Sequence, residues 1–217
     1  MKREIDLNVI SDGKLYTAND MVKADCGDCK GCSACCRGMG QSIVLDPLDV
    51  FRLIKKLNQN FEELIGSCLE LRVVDGLILP NLKMQGEEEQ CAFLSEEGRC
   101  SIHAERPGFC RLFPLGRYYE NGSFRYFLQI HECKKENRAK IKVKKWLDVS
   151  DVKCYEKFIN DWHYYLVSMQ DCLSEKPDKA KKVSMYILKQ FYLLPYNMEE
   201  DFYSQFYHRL EEAENCC

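Results

Sequence analysis

The run Cys26-Gly-Asp-Cys29-Lys-Gly-Cys32-Ser-Ala-Cys35-Cys36 constrains this chain more than any other segment. Successive C-x-x-C steps end in a vicinal pair, which crowds five thiols into eleven residues. C-x-x-C spacing lets two thiolates converge on one metal while the intervening amides turn inward to donate weak hydrogen bonds to sulfur. Without a metal, thiols this close oxidise or, as thiolates, repel. Gly27, Gly31, Gly38 and Gly40 accompany the run and suit a loop whose backbone approaches a site closely. A ferredoxin run would end C-x3-C-Pro. Here the last spacing is two residues, a second cysteine follows, and Arg37 stands where proline would be. A zinc site would more simply use two separated C-x-x-C pairs or histidine partners.

The chain has fourteen cysteines in 217 residues, so a disulfide-dense secreted protein is the main rival reading. Three observations oppose it. Met1 to Ile10 carries five charged or polar side chains and no apolar core of a signal peptide. The apolar stripes described below make disulfide staples unnecessary. Vicinal and C-x-x-C cysteines crowd too many thiols together for simple pairing. A cytoplasmic thiolate framework is therefore expected, with no membrane span because no stretch approaches about 20 apolar residues. The net charge of −3 does not announce a nucleic-acid partner.

Residues 1–25 read as an extended leader. Asp46-Pro47 reads as a helix N-cap followed by proline at the first helical position, with Leu48, Phe51, Leu53, Ile54 and Leu57 at helical spacing. Asn60 caps a second short helix expected over 61–70. Asp75-Gly76 between Leu71–Val74 and Leu77–Leu82 is a hairpin signal, and Glu120-Asn121-Gly122-Ser123 between Leu115–Tyr119 and Phe124–Ile130 is another. A loop-rich stretch between the hairpins holds Cys91, Cys100 and Cys110. Helix is expected from about 136. Val152, Tyr155, Phe158, Ile159, Trp162, Leu166, Met169 and Leu173 form one apolar stripe; Pro177 opens a second helix that Pro195 stops; and a third runs through Phe202, Phe206, Leu210 and Ala213.

In an extended segment neighbouring side chains point to opposite faces. On that premise Cys35 and Cys36 aim at different places, one at an N-terminal site and the other at a site completed by Cys91, Cys100, Cys110 and Cys133. His103 and His131 stand close in sequence to Cys100 and Cys133, as ligands or as structural histidines. Arg106 and Arg111 flank Cys110, where they either pair with carboxylates or balance the thiolates and grip an anion. Cys68, Cys154 and Cys172 lie in helical segments and read as core or surface thiols. Cys216-Cys217 read as a frayed tail. The basic run Lys134, Lys135, Arg138, Lys140, Lys142, Lys144 and Lys145, with Glu136 its one acid, reads as a solvated face, with an acidic partner or nucleic acid as the functional alternative.

The C-x-x-C-x-x-C-C string, the block from Cys91-Ala-Phe-Leu through Gly98-Arg-Cys100-Ser-Ile-His103 and Arg106-Pro107-Gly-Phe-Cys110-Arg111-Leu-Phe-Pro114, and His131-Glu-Cys133 followed by Trp146-Leu147 resemble the YkgJ-like cysteine-cluster family. That family is described as a putative zinc- or iron-chelating domain and is often labelled an iron–sulfur protein. The resemblance spans about residues 26–147. It implies ligand roles for Cys29, Cys32, Cys35, Cys36, Cys91, Cys100 and Cys110, with Cys133 joining them and Cys26 outside the shorter core. A flagellin lysine methylase is similar through its cysteine-rich domain, but the chain is expected to be too short for the rest of such an enzyme.

The expected architecture is α+β: a leader at 1–25, a small metal-centred cysteine-rich domain with two β-hairpins at 26–147, and a three-helix part at 148–217. The expected ligands are Cys26, Cys29, Cys32, Cys35, Cys36, Cys91, Cys100, Cys110 and Cys133, with Arg106 and Arg111 facing the cofactor. The first functional reading is an iron–sulfur protein, 4Fe–4S, with a redox or modification role. A zinc-stabilised binding module without catalysis and a metal-delivery protein are the rivals. The partner is an unidentified protein or small molecule. No general base, nucleophile or phosphate loop stands out.

Overall fold

Both expected hairpins form, and their turns show why. Asp75 and Gly76 adopt φ of 47° and 85°, and Asn121 and Gly122 adopt 52° and 74°. Two successive positive φ values make the tight two-residue turn whose twist matches its strands, and Asp-Gly and Asn-Gly tolerate it best. The computed structural model describes residues 6–27 and 32–213.

The N-terminal half runs through helix α1 (Leu7–Ile10), strand β1 (Met21–Asp25), a 3-10 turn at Ala34–Cys36, and helices α2 (Pro47–Leu57) and α3 (Phe61–Ser67). Strands β2 (Leu69–Val74), β3 (Leu77–Leu82), β4 (Met84–Gln85) and β5 (Gln90–Cys91) follow. Next come a 3-10 turn at His103–Glu105, helix α4 (Gly108–Leu112), and strands β6 (Leu115–Glu120), β7 (Ser123–Leu128) and β8 (Ala139–Lys142). Helices α5 (Val143–Leu147), α6 (Val152–Glu175), α7 (Ala180–Leu188) and α8 (Phe202–Ala213) complete the described chain, with a π-helical turn at Lys189–Leu193 after α7. The protein is thus α+β, and its strands form four separate antiparallel pairs: β1–β8, β2–β3, β4–β5 and β6–β7.

Four expectations change. The leader is not simply extended, because β1 pairs with β8 and Tyr16 bridges Tyr126. Helix does not begin at 136, because 139–142 is the strand that completes that ribbon. Helix α3 stops at Ser67 rather than 70, since Leu69 and Glu70 are taken up in pairing with Leu82 and Asn81. Cys110 sits on α4 and not in a loop.

Local caps fix α2 and α3. Asp46 and Asp49 form a reciprocal capping box with Pro47 in the first turn, and Asn60 and Glu63 form a second. Asn58, at φ 53°, closes α2 in the left-handed conformation.

The main core joins Ile43, Leu45, Leu53 and Leu64 to Leu77 and Leu79 of the first hairpin and to Phe158, Trp162, Phe191 and Phe206 of the C-terminal helices. Phe158 and Phe206 meet edge-on at 4.7 Å between centroids, and Trp162 and Phe191 at 4.9 Å, within the favoured range for such pairs. A smaller core gathers Val22, Ala24, Leu115, Tyr126, Leu128, Val143 and Leu147 beneath the β1–β8 ribbon. Cys36, Cys100 and Cys110 pack against the edge of the main core, and that edge is where the cysteines meet.

Candidate metal centre

Cys35 and Cys36 lie on the 3-10 turn at 34–36, whose Cys36 N–H donates to Ser33 O at 2.9 Å. The extended-segment premise therefore does not hold. Both thiols face one cavity, and the Cys35 thiol hydrogen-bonds Cys36. The same cavity is lined by Cys32, Cys91, Cys100 and Cys110. β5 delivers Cys91, the following turn delivers Cys100, and α4 delivers Cys110. Arg37 bridges Gln90 in the backbone and pairs with Glu88, and Gly38 N–H donates to Glu89 O at 3.1 Å, which fastens the cysteine run to the β4–β5 turn.

Gly108 seats α4. Its N–H donates to Asp49 Oδ1 at 2.7 Å, so the capping acid of α2 also fixes the helix that carries Cys110. An added Cβ at Gly108 would meet Tyr155 Oη at 2.8 Å, which shows how closely α4 sits against α6. Arg117 Nη2 donates to that same hydroxyl at 3.0 Å. Burial raises the pKa values of the Asp46 and Asp49 carboxyls, and for Asp49 the neighbouring Asp46 charge adds to it.

The remaining wall is mostly apolar. Ile43, Leu82, Phe93, Ile102, Phe109, Phe113 and Trp146 surround a space of about 90 Å³, with Arg99, His103 and Arg106 at its polar side. Trp146 Nε1 donates to Phe113 O at 3.2 Å, which holds the indole in the wall. Arg106 Nη1 donates to His103 O at 2.8 Å and lies 3.1 Å from His103 Nδ1. Arg111 is 4% exposed and turns away from the cavity, where it donates to the carbonyls of Ala104, Arg106 and Asp148. Of the two arginines expected at the cofactor, Arg106 lines the cavity and Arg111 ties the loop beneath it to the residue after α5.

The thiols repel negative charge from one another. Burial raises the pKa values of Cys91, Cys100 and Cys110, and the neighbouring cysteines push each further. Cys35 is raised chiefly by its bond to Cys36, with burial second, and Arg106 works in the opposite direction on Cys35 and Cys100. Phe93 N–H donates to Cys91 Sγ at 3.5 Å, the amide-to-sulfur bond that favours a thiolate. A set of soft sulfur donors in an apolar setting fits a thiophilic metal, whose charge would reverse the penalty on the thiolates. Among the described residues, no three His, Cys, Asp or Glu side chains already converge on a single-ion position.

Cys26 and Cys133 are half-buried and do not line the cavity, His103 does, and His131 is exposed. Cys29, Cys216 and Cys217 lie outside the described residues. Cys68 is buried and Cys154 exposed, as free thiols, but Cys172 is disulfide-bonded rather than free. Asp49 escaped sequence reasoning as a site residue. Its position three residues after the cap was legible, but its grip on Gly108 is tertiary.

The gathered cysteines define a cysteine-lined cavity, the candidate metal centre of the fold. Residues 28–132 match the CxxCxxCC family model, described as a putative zinc- or iron-chelating domain, so that segment is similar to this family. The match ends one residue short of Cys133. No curated protein and no solved structure matches the chain. Among the described residues, no helix is long and apolar enough to cross a membrane.

Proposed function

We propose that the cavity holds an iron–sulfur cluster, 4Fe–4S by preference, and that the protein serves a redox or modification reaction in a reducing, cytoplasmic setting with a protein or small-molecule partner. The observation that carries this reading is the ring of six thiols around one apolar space of about 90 Å³. A lone Zn²⁺ held at about 2.3 Å from four sulfurs needs no such space, whereas a multi-atom cluster does. Cys32, Cys35, Cys36, Cys91, Cys100 and Cys110 are the described candidates to hold it, and Cys29 joins them by its place in the run. When bound, such a cluster supplies one-electron transfer. The apolar wall limits water at the sulfurs, and Arg106 offsets negative charge at Cys35 and Cys100, both of which tune reduction potential.

The test is anaerobic purification followed by iron, zinc and acid-labile sulfide analysis with an absorption spectrum. The expected protein is brown, with iron and sulfide in comparable amounts. Cys100→Ser should deplete both, while Cys154→Ser, on the exposed start of α6, should leave them unchanged. A colourless protein carrying zinc alone would overturn the iron–sulfur reading in favour of a zinc-stabilised module.

A further inference from the structure

One charged surface remains unused by the centre. Residues 134–145 hold seven basic residues and one acid, so this segment carries +6 in a chain of net charge −3 and leaves −9 on the rest. The fold places part of this run on one face of a bulged two-stranded ribbon. β1 and β8 pair with Met21 opposite Lys142 and Val22 opposite Ile141. Val22 and Ala24 are buried in the smaller core while Met21, Lys23, Lys140 and Lys142 are exposed, so despite the register shift between Val22 and Asp25 the outer face presents Met21 and the three lysines. Met21 is 48% exposed, and the three lysines are exposed around it.

The strip then runs into the metal centre. β8 passes at Lys142 directly into α5, which bears Lys144 and the exposed Lys145, and the next residue, Trp146, is part of the cavity wall. From Lys142 to Trp146 is about 6 Å of helical rise. The acids close by in sequence are Glu136, Asp20, whose Oδ2 accepts from Thr17 N–H at 2.7 Å and from the Thr17 hydroxyl at 2.8 Å, Asp25, whose Oδ1 accepts from Gly27 N–H at 3.0 Å, and Asp148, whose carboxylate lies 3.7 Å from Arg111.

We propose that the outer face of the β1–β8 ribbon, continued by α5, is a docking surface for an acidic polypeptide segment, which it brings to the mouth of the cysteine cavity. The surface stands independently of which metal fills that cavity. A lysine or two on an exposed ribbon edge would suffice to discourage edge-to-edge pairing. This strip exceeds that need and continues onto a helix where there is no edge to guard. The occupant is a protein rather than a nucleic acid because the strip is short, about 13 Å of strand plus one helical turn. The −9 carried elsewhere would also repel a long polyanion.

The experiment titrates the full-length, metal-loaded protein with a dansyl-labelled octamer of glutamate at low salt, reading anisotropy and quenching of tryptophan emission. Trp146→Phe leaves Trp162 as the sole tryptophan and gives the quenching that does not come from the strip. The expected result is salt-sensitive binding with quenching that depends on Trp146. The triple variant K23E/K140E/K142E should weaken it about tenfold or more with metal content unchanged. Glutamates keep the edge charged, so protection against edge pairing is retained while docking is lost. Lys142→Glu alone should give a smaller loss in the same direction. Equal affinity of wild type and triple variant, quenching as strong without Trp146 as with it, or tighter binding of single-stranded DNA of matched charge would each overturn the proposal.

Discussion

Replacing Gly108 by alanine probes the joint that positions Cys110. Gly108 lies in the first turn of α4 in ordinary right-handed backbone, so alanine meets no conformational objection and should gain up to about 1 kcal/mol of helix propensity. Against this, the new Cβ would sit 2.8 Å from Tyr155 Oη, while the Asp46 and Asp49 carboxylates at 3.6 Å are in ordinary contact. Tyr155 is 1% exposed and its hydroxyl holds Arg117, so the ring cannot swing clear. Overpacking of this kind costs about 1–3 kcal/mol. Tyr155→Phe removes the obstructing oxygen at the expense of the Arg117 hydrogen bond, worth about 1.5–3 kcal/mol for a charged donor. In the double variant the clash is absent, so Gly108→Ala should become neutral or stabilising. The double-mutant cycle in urea unfolding should therefore show about 1–3 kcal/mol of favourable coupling. Metal content should fall in Gly108→Ala and recover in the double variant. Additivity within about 0.5 kcal/mol would refute the argument that this contact sets the α4–α6 spacing.

Three other outcomes follow from the same geometry. The folded-state pKa values of Asp46 and Asp49 are raised above the unfolded value of 3.8, so their contribution is fully present below that pH and is lost as pH rises toward their raised values. Urea midpoints from pH 5 to 8 should decline more in the wild type than in Asp49→Asn, and parallel profiles would refute this. Arg111→Met should cost about 2–3 kcal/mol by stripping the donors from three carbonyls, whereas Arg106→Met should change reduction potential or metal retention with little change in the urea midpoint. Metal removal by a chelator should raise hydrogen exchange in residues 32–40 and 91–112 while α6 and α8, held by aromatic packing, stay protected. A uniform rise across the chain would refute that division.

What the sequence disclosed and what it hid divide along sequence separation. Asp75-Gly76 and Asn121-Gly122 announced both hairpins, and Asp46-Pro47 announced α2, because a turn or cap is decided by a few adjacent residues. The apolar spacing from Val152 to Leu173 announced α6 for the same reason. The β1–β8 ribbon was hidden because its strands lie more than a hundred residues apart and are short and lysine-rich. Helix α4 was hidden because it has five residues in a stretch rich in turn formers and is held by Asp49 and Tyr155 rather than by its own propensity. At the site, spacing singled out the cysteines, but the 3-10 turn that points Cys35 and Cys36 into one cavity has no signature in a C-C dipeptide. Arg106 and Arg111, alike in sequence, part company because one faces the thiols and the other faces three backbone carbonyls.

The placement of the cysteines has an energetic logic. Gathering these thiols against the core makes ionising Cys35, Cys91, Cys100 and Cys110 costly, as the upward pressure on each shows. A surface cluster would avoid that cost but leave its sulfurs open to oxidation. Setting the ring against the edge of the main core keeps one side dry, with Phe93, Phe109 and Trp146 in place of water, while Arg106 and the Phe93 amide offset the charge. The supports come from well-separated parts of the chain: Asp49 from α2, Tyr155 from α6, Trp146 from α5 and Arg37 from the cysteine run itself. A metal held by these cysteines would draw the run at 32–36 onto segments that already share the main core. Such a centre would act as the tie between the cysteine run and a core that the helices and the first hairpin already build.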